Sequence, residues 1–251
     1  MIHVRSPREV DKIRQSCRIV AETLQLIAAM IKPGITPQEL DVAAEKYIRN
    51  QKAEPGFKGL YGYPATLCVS VEDEVVHGIP DNTPLEEGQI VSIDVGALKD
   101  GYYGDHARTF AIGQVDETHQ RLMTRTRECL DLGIEAAVAG SAVGDIGNAV
   151  QQHAESAGFG VVRELVGHGV GTCLHEEPQI PNFGRPGFGA ILREGMCLAI
   201  EPMINMGSKD VYTQDDGWTV CTVDGKPSAH FEHTIVITPN GPEVLTEYET
   251  V

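Results

Sequence analysis

The chain has 251 residues, a length that fits one large domain or two small ones. Its formal net charge of −16 argues against a nucleic-acid partner, because phosphate binding requires a basic surface. Six cysteines without paired spacing, no signal peptide and no apolar run of about 18 residues favour a reduced, cytoplasmic protein without a membrane span.

The first half opens with two predicted helices. Apolar residues at helical spacing favour a helix over roughly residues 7–30. Thr36 and Glu39 have the spacing of a capping box, which predicts that a second helix begins there. Its apolar face runs through Leu40, Ala44 and Ile48.

A hairpin follows, and it carries two acids. Asp-Gly at 100–101 between β-rich runs is typical of a two-residue type I′ loop. This loop sets Asp105 opposite Gly96, on the same face as Asp94. Apolar residues on both faces of 90–95 indicate a buried strand, where two bare carboxylates would repel each other. A three-residue loop would put the acids on opposite faces, and solvent-facing hairpin acids are the other alternative.

The second half repeats this order of elements. A helix over about 117–138 precedes another that begins near Gly140, which aligns with Gly34. Strands follow each pair of helices. We therefore predict a single domain of two pseudo-twofold α+β halves, residues 1–112 and 113–251, with helices outside central antiparallel strands. Chance similarity of two helical segments is the alternative.

Three more candidate ligands lie beside apolar runs. Glu201 directly follows the apolar run at 196–200, and Glu232 directly precedes the β-branched run at 233–237. His168 lies in GHGVG, where we predict a glycine-rich turn that exposes the imidazole to a ligand. Each glutamate alone could be a salt-bridged or edge-strand acid.

Together the candidates form a hard, oxygen-rich donor set: Asp94, Asp105, His168, Glu201 and Glu232. The chain has no CxxC pair, which argues against structural zinc and favours a catalytic divalent ion such as Co, Mn, Fe or Zn. Five side chains exceed the needs of one open site, so we predict two ions roughly 3.5–4 Å apart, whose chemistry is hydrolysis.

Several segments together resemble the type I methionine aminopeptidases over nearly the whole chain: IDVGALKDGYYGDHARTF, GHGVGTCLHEEP, AIEPMI and EHTIVIT, with KPGIT and VHGIP. The resemblance implies the pita-bread fold, with two related α+β halves around a dinuclear metal centre. It also implies removal of the initiator methionine from new polypeptides whose second residue is small.

The resemblance assigns roles by position. Asp105 and Glu232 would bridge two metal ions, Asp94 would chelate one, and His168 with Glu201 would hold the other. Glu201 would also pass a proton from the attacking hydroxide.

Substrate contacts follow from the same resemblance. His77 and His175 would face the substrate and the developing oxyanion, although a lone histidine is more often a surface residue. Four side chains would line the methionine pocket: Tyr63, Cys68, Leu174 and Trp218. For the pocket residues the alternative is ordinary core packing.

Four positions depart from the family pattern. His106 and Ala107 follow the second aspartate, and Gly96 stands where a hydroxyl residue is common. His230 stands where a glutamine is common, on the same face as Glu232, and could be an extra donor or an adventitious ligand. These changes bear on metal preference and rate rather than on the reaction.

Two other functions remain open at this point. A prolidase or proline-specific aminopeptidase could share the fold and the five ligands, but those relatives usually carry a large extra N-terminal domain. A non-enzymatic binding protein with this fold would have lost ligands, whereas all five positions are filled here. We expect a monomer that acts on polypeptide N-termini beginning with methionine.

Overall fold

The structure is a computed structural model, and it describes residues 1–247 of the protein. This range contains four α-helices: α1 (Pro7–Met30), α2 (Pro37–Asn50), α3 (Glu117–Ala136) and α4 (Val143–Ser156). Its strands are β1 (Glu54–Pro55), β2 (Leu67–Val71), β3 (Glu74–Val76), β4 (Ile90–Lys99), β5 (Tyr102–Ala111), β6 (Gly160–Val161), β7 (Gly167–Gly169), β8 (Glu176–Ile180), β9 (Cys197–Ile200), β10 (Met203–Asn205), β11 (Val211–Thr213), β12 (Val220–Thr222), β13 (Ser228–His230), β14 (His233–Thr238) and β15 (Gly241–Val244).

The helices form where the sequence pattern predicts them. α1 has the predicted bounds, and α3 ends two residues before the predicted 138. The capping box is confirmed, because the backbone N–H of Glu39 donates to the Thr36 hydroxyl while the Thr36 N–H donates to the Glu39 carboxylate. Among residues 1–247, none of the helices combines the length and hydropathy needed to cross a membrane.

The predicted hairpin register is confirmed. β4 and β5 pair Lys99 with Tyr102 and Gly96 with Asp105. The backbone φ angles of Asp100 and Gly101 are +49° and +80°, the left-handed values that a type I′ loop requires.

Helix α1 crosses this hairpin at close range. A Cβ atom at Gly104 in β5 would lie 2.5 Å from the backbone nitrogen of Cys17 in α1. Glycine is therefore required at this position for the helix to reach the strand.

The strands form four antiparallel sheets in the described range. β4 pairs with β1, β2 and β5, and the largest sheet has the order β15-β14-β9-β7-β8. One apolar core lies under α1 and α2 and includes Ile27 and Ile93, and a second lies under α3 and α4 and includes Ile146 and Leu198. The α+β class is confirmed, while the pseudo-twofold relation of 1–112 to 113–251 stays a prediction.

A seam of hydrogen bonds joins the two halves. We define the seam as the contacts between β5 and residues 230–234. The Thr234 hydroxyl donates to the carbonyl of Asp105 at 2.8 Å, and the Thr109 hydroxyl donates to the carbonyl of His230 at 2.9 Å. Both hydroxyls also accept the backbone N–H of the same residue.

Between these two hydroxyls, the N–H of Glu232 donates to the carbonyl of Ala107 at 2.9 Å. Two predicted ligands, Asp105 and Glu232, are thus fixed side by side although they come from different halves.

We expect Thr234→Val to lower the free energy of unfolding by about 2–4 kcal/mol, because the buried N–H and carbonyl of Asp105 lose their partner. Urea unfolding measures the change. Thr234→Ser is the matched control, since it keeps the hydroxyl and should lose much less. Equal stability of the valine variant and the wild type would contradict a structural role for the seam.

Candidate active site

All five predicted ligands line one cavity between the halves. The cavity has a volume of about 170 Å³. Its polar end is formed by the predicted ligands, Asp94, Asp105, His168, Glu201 and Glu232, and its other walls are mainly apolar or aromatic. The structure therefore brings together side chains that are up to 138 residues apart in the sequence (positions 94 and 232).

Strand pairing explains the convergence of the two glutamates. β9 ends at Ile200 and β14 begins at His233, and these two residues are partners in the ladder. Glu201 and Glu232 occupy the next opposed positions, just beyond the last pair. Pro202, which follows, lacks an N–H and cannot continue the ladder.

The prediction for His168 was wrong in one respect. Its GHG segment is strand β7 rather than a turn, and His168 is buried. The flanking glycines serve close strand packing, because a Cβ at Gly167 would lie 2.4 Å from the carbonyl oxygen of Ala199. His168 pairs with Ala199, which is two residues before Glu201 on the same face.

Distances within the cluster suit ligands that share cations. His168 Nε2 lies 3.5 Å from Glu201 Oε1 and 3.7 Å from Asp105 Oδ2. One ligand atom from each of Asp105, His168 and Glu232 lies within 4.8 Å of the others. Two ligands bound roughly 2.0–2.2 Å from one ion are themselves about 3.0–3.5 Å apart, so these spacings need little adjustment.

The environment of the four acids strongly disfavours their charged forms. Burial raises the pKa values of Asp94, Glu201 and Glu232 well above their usual range, and the neighbouring carboxylates raise them further. Burial also raises the pKa of Asp105, to about 7. Across residues 1–247, the ion pairs of these acids involve only the imidazoles of His168 and His230.

Unsatisfied oxygens identify what the cluster can bind. Asp94 Oδ1, Asp105 Oδ1 and Glu232 Oε1 are buried and have no hydrogen-bond partner within the described 247 residues. His168 Nδ1 lies 2.9 Å from the carbonyl of Gly169 and must donate to it, which leaves the lone pair of Nε2 facing the acids. Carboxylate oxygens with one imidazole nitrogen fit divalent cations.

His77 and His175 flank the acid cluster in the same cavity. The His175 ring is exposed at the mouth and meets the His168 ring edge-on, with centroids 4.6 Å apart. His77 is half-buried and has a φ of +61°, a strained value for histidine that is typical of functional sites. Burial lowers the pKa of His77 to about 4 and also lowers the pKa of His175. Both imidazoles are therefore neutral near pH 7, and each can donate one hydrogen bond.

The four predicted pocket residues meet in one apolar cluster beside the acids. It contains Tyr63, Cys68 and Leu174, with Trp218 packed against it. The Trp218 ring contacts Tyr63 edge-on, with centroids 5.1 Å apart. Cys68 pairs with Asp94 across β2 and β4, so the apolar and acidic ends of the cavity share one ladder.

Sequence reasoning missed seven residues of the cavity lining, including Phe57, Tyr61 and Met203. Phe57 and Met203 line the apolar end, and the Tyr61 ring stacks on His175 at the mouth with centroids 6.1 Å apart. Met203 could have been found, because it lies two residues after Glu201. Phe57 and Tyr61 lie in irregular backbone that gives no comparable signal.

The structure accounts for two of the unusual positions, Gly96 and His106, and shows a backbone contact at a third, Ala107. A Cβ at Gly96 would lie 2.5 Å from the Phe57 ring, so a larger residue there would require the ring to move. The Ala107 carbonyl accepts the N–H of Glu232 in the seam. His106 donates from Nδ1 to the carbonyl of Glu232, and its ring stacks on His233 with centroids 4.7 Å apart. His106 therefore supports the backbone of Glu232.

Comparisons with known proteins agree with this geometry. Residues 11–239 match metallopeptidase family M24. The chain is 51% identical to a methionine aminopeptidase of Clostridium perfringens, over 98% of this chain and 99% of that protein. It is 49% identical to methionine aminopeptidase 1 of Bacillus subtilis, again over 98% and 99%.

Comparisons with solved structures lead to the same family. The crystal structure of a methionine aminopeptidase from Thermotoga maritima superimposes with a TM-score of 0.97 and 46% identity, over 99% of this chain and 100% of that one. A prolidase from Pyrococcus furiosus, at 24% identity and a TM-score of 0.81, shares the fold alone. The fold and the site together define the class of this protein, which is a metal-dependent hydrolase with the pita-bread fold. The chain belongs to the methionine aminopeptidases of metallopeptidase family M24.

We expect a divalent ion to stabilise the protein more strongly as the pH rises from 6 to 8. The folded pKa values of the site acids exceed their unfolded values, so without an ion the folded state retains protons that the unfolded chain releases above about pH 4. Stability without an ion therefore falls as the pH rises towards the folded pKa values. An ion that displaces one proton should add about 1.4 kcal/mol of stabilisation per pH unit.

Thermal unfolding in excess Mn²⁺ and in chelator, compared at each pH, measures this difference. Glu232→Gln is the control, because removing one acid should stabilise the chelated protein and weaken the effect of Mn²⁺. A stabilisation by Mn²⁺ that does not change with pH would contradict the assignment of these acids.

Proposed function

We propose that this chain removes the N-terminal methionine from polypeptides whose second residue is small. The observation that carries the proposal is one cavity with two ends, an apolar cluster that includes Tyr63 and Cys68 and an acid cluster beside it. The relatives at 49–51% identity are named methionine aminopeptidases, which supports the same substrate here.

We assign the ligands of the metal centre as follows. Asp94, Asp105, His168, Glu201 and Glu232 would hold two divalent ions, with Co, Mn, Fe or Zn as the candidates. Bound there, such ions supply a strong nucleophile near neutral pH and polarise the scissile carbonyl.

The apolar end selects methionine. A flexible thioether packs well against aromatic edges and a thiol, which Tyr63, Trp218 and Cys68 provide. The free α-amino group of the substrate would then lie at the acid end of the cavity, where the metal centre would hold it. A free N-terminus is therefore required, as in an exopeptidase.

Glu201 carries the proton that the leaving amine receives. Its carboxylate lies between two imidazoles, and burial raises its pKa, so it can accept a proton and later release it to the leaving amine. The neutral His175 and His77 donate hydrogen bonds to the substrate backbone, and His175 stabilises the oxygen that becomes negative. The stacked rings of Tyr61 and His175 narrow the mouth, which favours a small second residue.

The cellular setting is also a proposal. The six cysteines are free in the structure of residues 1–247, in keeping with a reducing cytoplasm. We propose that the protein acts there as a monomer on nascent polypeptides.

A peptide panel tests the substrate. We expect Met-Ala-Ser to be cleaved and Met-Leu-Ser to be cleaved at least about 100-fold more slowly, because a larger second side chain meets Tyr61 and His175. Methionine release is measured by chromatography on protein of known metal content. Preferred cleavage of Ala-Pro peptides would favour a prolidase, and full metal content without hydrolysis would favour a binding protein.

Glu201→Gln tests the proton path. We expect kcat for Met-Ala-Ser to fall by roughly 10²–10⁴-fold with little loss of stability, because the amide cannot carry the proton. Glu135→Gln on the exposed side of α3 is the control and should keep full activity. A Glu201→Gln variant with normal turnover and normal metal content would exclude Glu201 as the proton carrier.

A further inference from the structure

One buried nitrogen lies next to Glu201 and belongs to none of the five predicted ligands. His230 is 1% exposed, and its Nε2 atom has no hydrogen-bond partner in the part of the chain that the structure describes. This nitrogen lies 3.5 Å from Glu201 Oε2. A buried polar atom without a partner is unfavourable by about 1–3 kcal/mol, so a partner for it is expected.

The spacing between His230 and Glu201 is that of two ligands on one ion. A hydrogen bond to a carboxylate is shorter, at about 2.7–2.9 Å. Two ligands at roughly 2.0–2.2 Å from a shared ion lie about 3.0–3.5 Å apart. His168 Nε2 has the same 3.5 Å separation from the other oxygen of Glu201. The imidazoles of His168 and His230 therefore lie at equal distances from the two oxygens of the Glu201 carboxylate.

The backbone of His230 is fixed independently of any ion. Its N–H donates to the Thr109 hydroxyl, and its carbonyl accepts from the same hydroxyl, each at 2.9 Å. It is also the partner of Met203 in the β10–β13 ladder. A ring on a backbone held from two sides is preorganised for a ligand, since little conformational entropy is lost on binding.

We propose that His230 is a further nitrogen ligand of the metal centre, which gives the Glu201 end two imidazoles instead of one. The proposal rests on the proposed metal-dependent function and adds to it a preference among ions. A second imidazole replaces an oxygen donor or water and favours Co²⁺ and Zn²⁺ over Mn²⁺.

Metal binding to His230→Gln tests the proposal without reference to activity. Chelator competition should show that the variant loses roughly 10–100-fold in affinity for Zn²⁺ and Co²⁺ and clearly less for Mn²⁺. The visible spectrum of protein with one equivalent of Co²⁺ should change in intensity and position. His153→Gln is the control, because that histidine pairs with Glu128 between α3 and α4, and its metal affinities should equal those of the wild type.

A second measurement needs no variant. X-ray absorption of the wild type with one equivalent of Zn²⁺ counts the imidazoles around the ion, and the proposal expects two. One imidazole per ion would overturn it. So would an unchanged Co²⁺ spectrum in His230→Gln, or equal losses of affinity for all three ions, which is the result if His230 only hydrogen-bonds Glu201.

Folding and function are monitored separately. Circular dichroism and thermal unfolding in chelator establish that His230→Gln is folded. The methionine-release assay on the wild type tests the proposed function. Absence of methionine release with two imidazoles on Zn²⁺ would refute the substrate and support the ligand, whereas release with one imidazole would do the reverse.

Discussion

The seam between β5 and residues 230–234 is the constraint on which the site depends. Two buried hydroxyls, of Thr109 and Thr234, each satisfy both the N–H and the carbonyl of a residue in the other half. These contacts fix Asp105 and Glu232, and the other three predicted ligands lie in β4, in β7 and directly after β9. A shift of one residue along the seam would turn a carboxylate away from the cavity, because successive side chains of an extended chain point to opposite sides.

The seam therefore holds together groups that repel one another. Four acids share one cavity, and burial raises the pKa of each. Such a cluster opposes folding, and the two apolar cores of the halves must offset it. Sites that break the local rules of folding in this way are where function is expected, since selection for stability alone would remove them.

Much of the fold could be predicted from local sequence signals, whereas the contacts between distant segments could not. The hairpin register follows from the Asp-Gly loop, and the start of α2 follows from its capping box. The five predicted ligands stand out in the sequence because buried charge demands compensation, and the structure brings all five to one cavity. The strand at His168 was missed, since GHG reads as a turn unless the packing of neighbouring strands is known. Nothing in the sequence pairs Thr109 with His230, which are 121 residues apart, and nothing places Phe57 against Gly96.

The unusual residues around the site have different physical roles. Gly96 makes room for the Phe57 ring, and His106 supports the carbonyl of Glu232, so neither needs to touch an ion. His230 differs, because its backbone belongs to the seam while its ring faces Glu201. The hydrogen bonds that hold the backbone at this position do not involve its side chain. If His230 binds an ion as proposed, a conservative substitution there changes the ion preference of the centre and keeps the backbone contacts that bring the acids together.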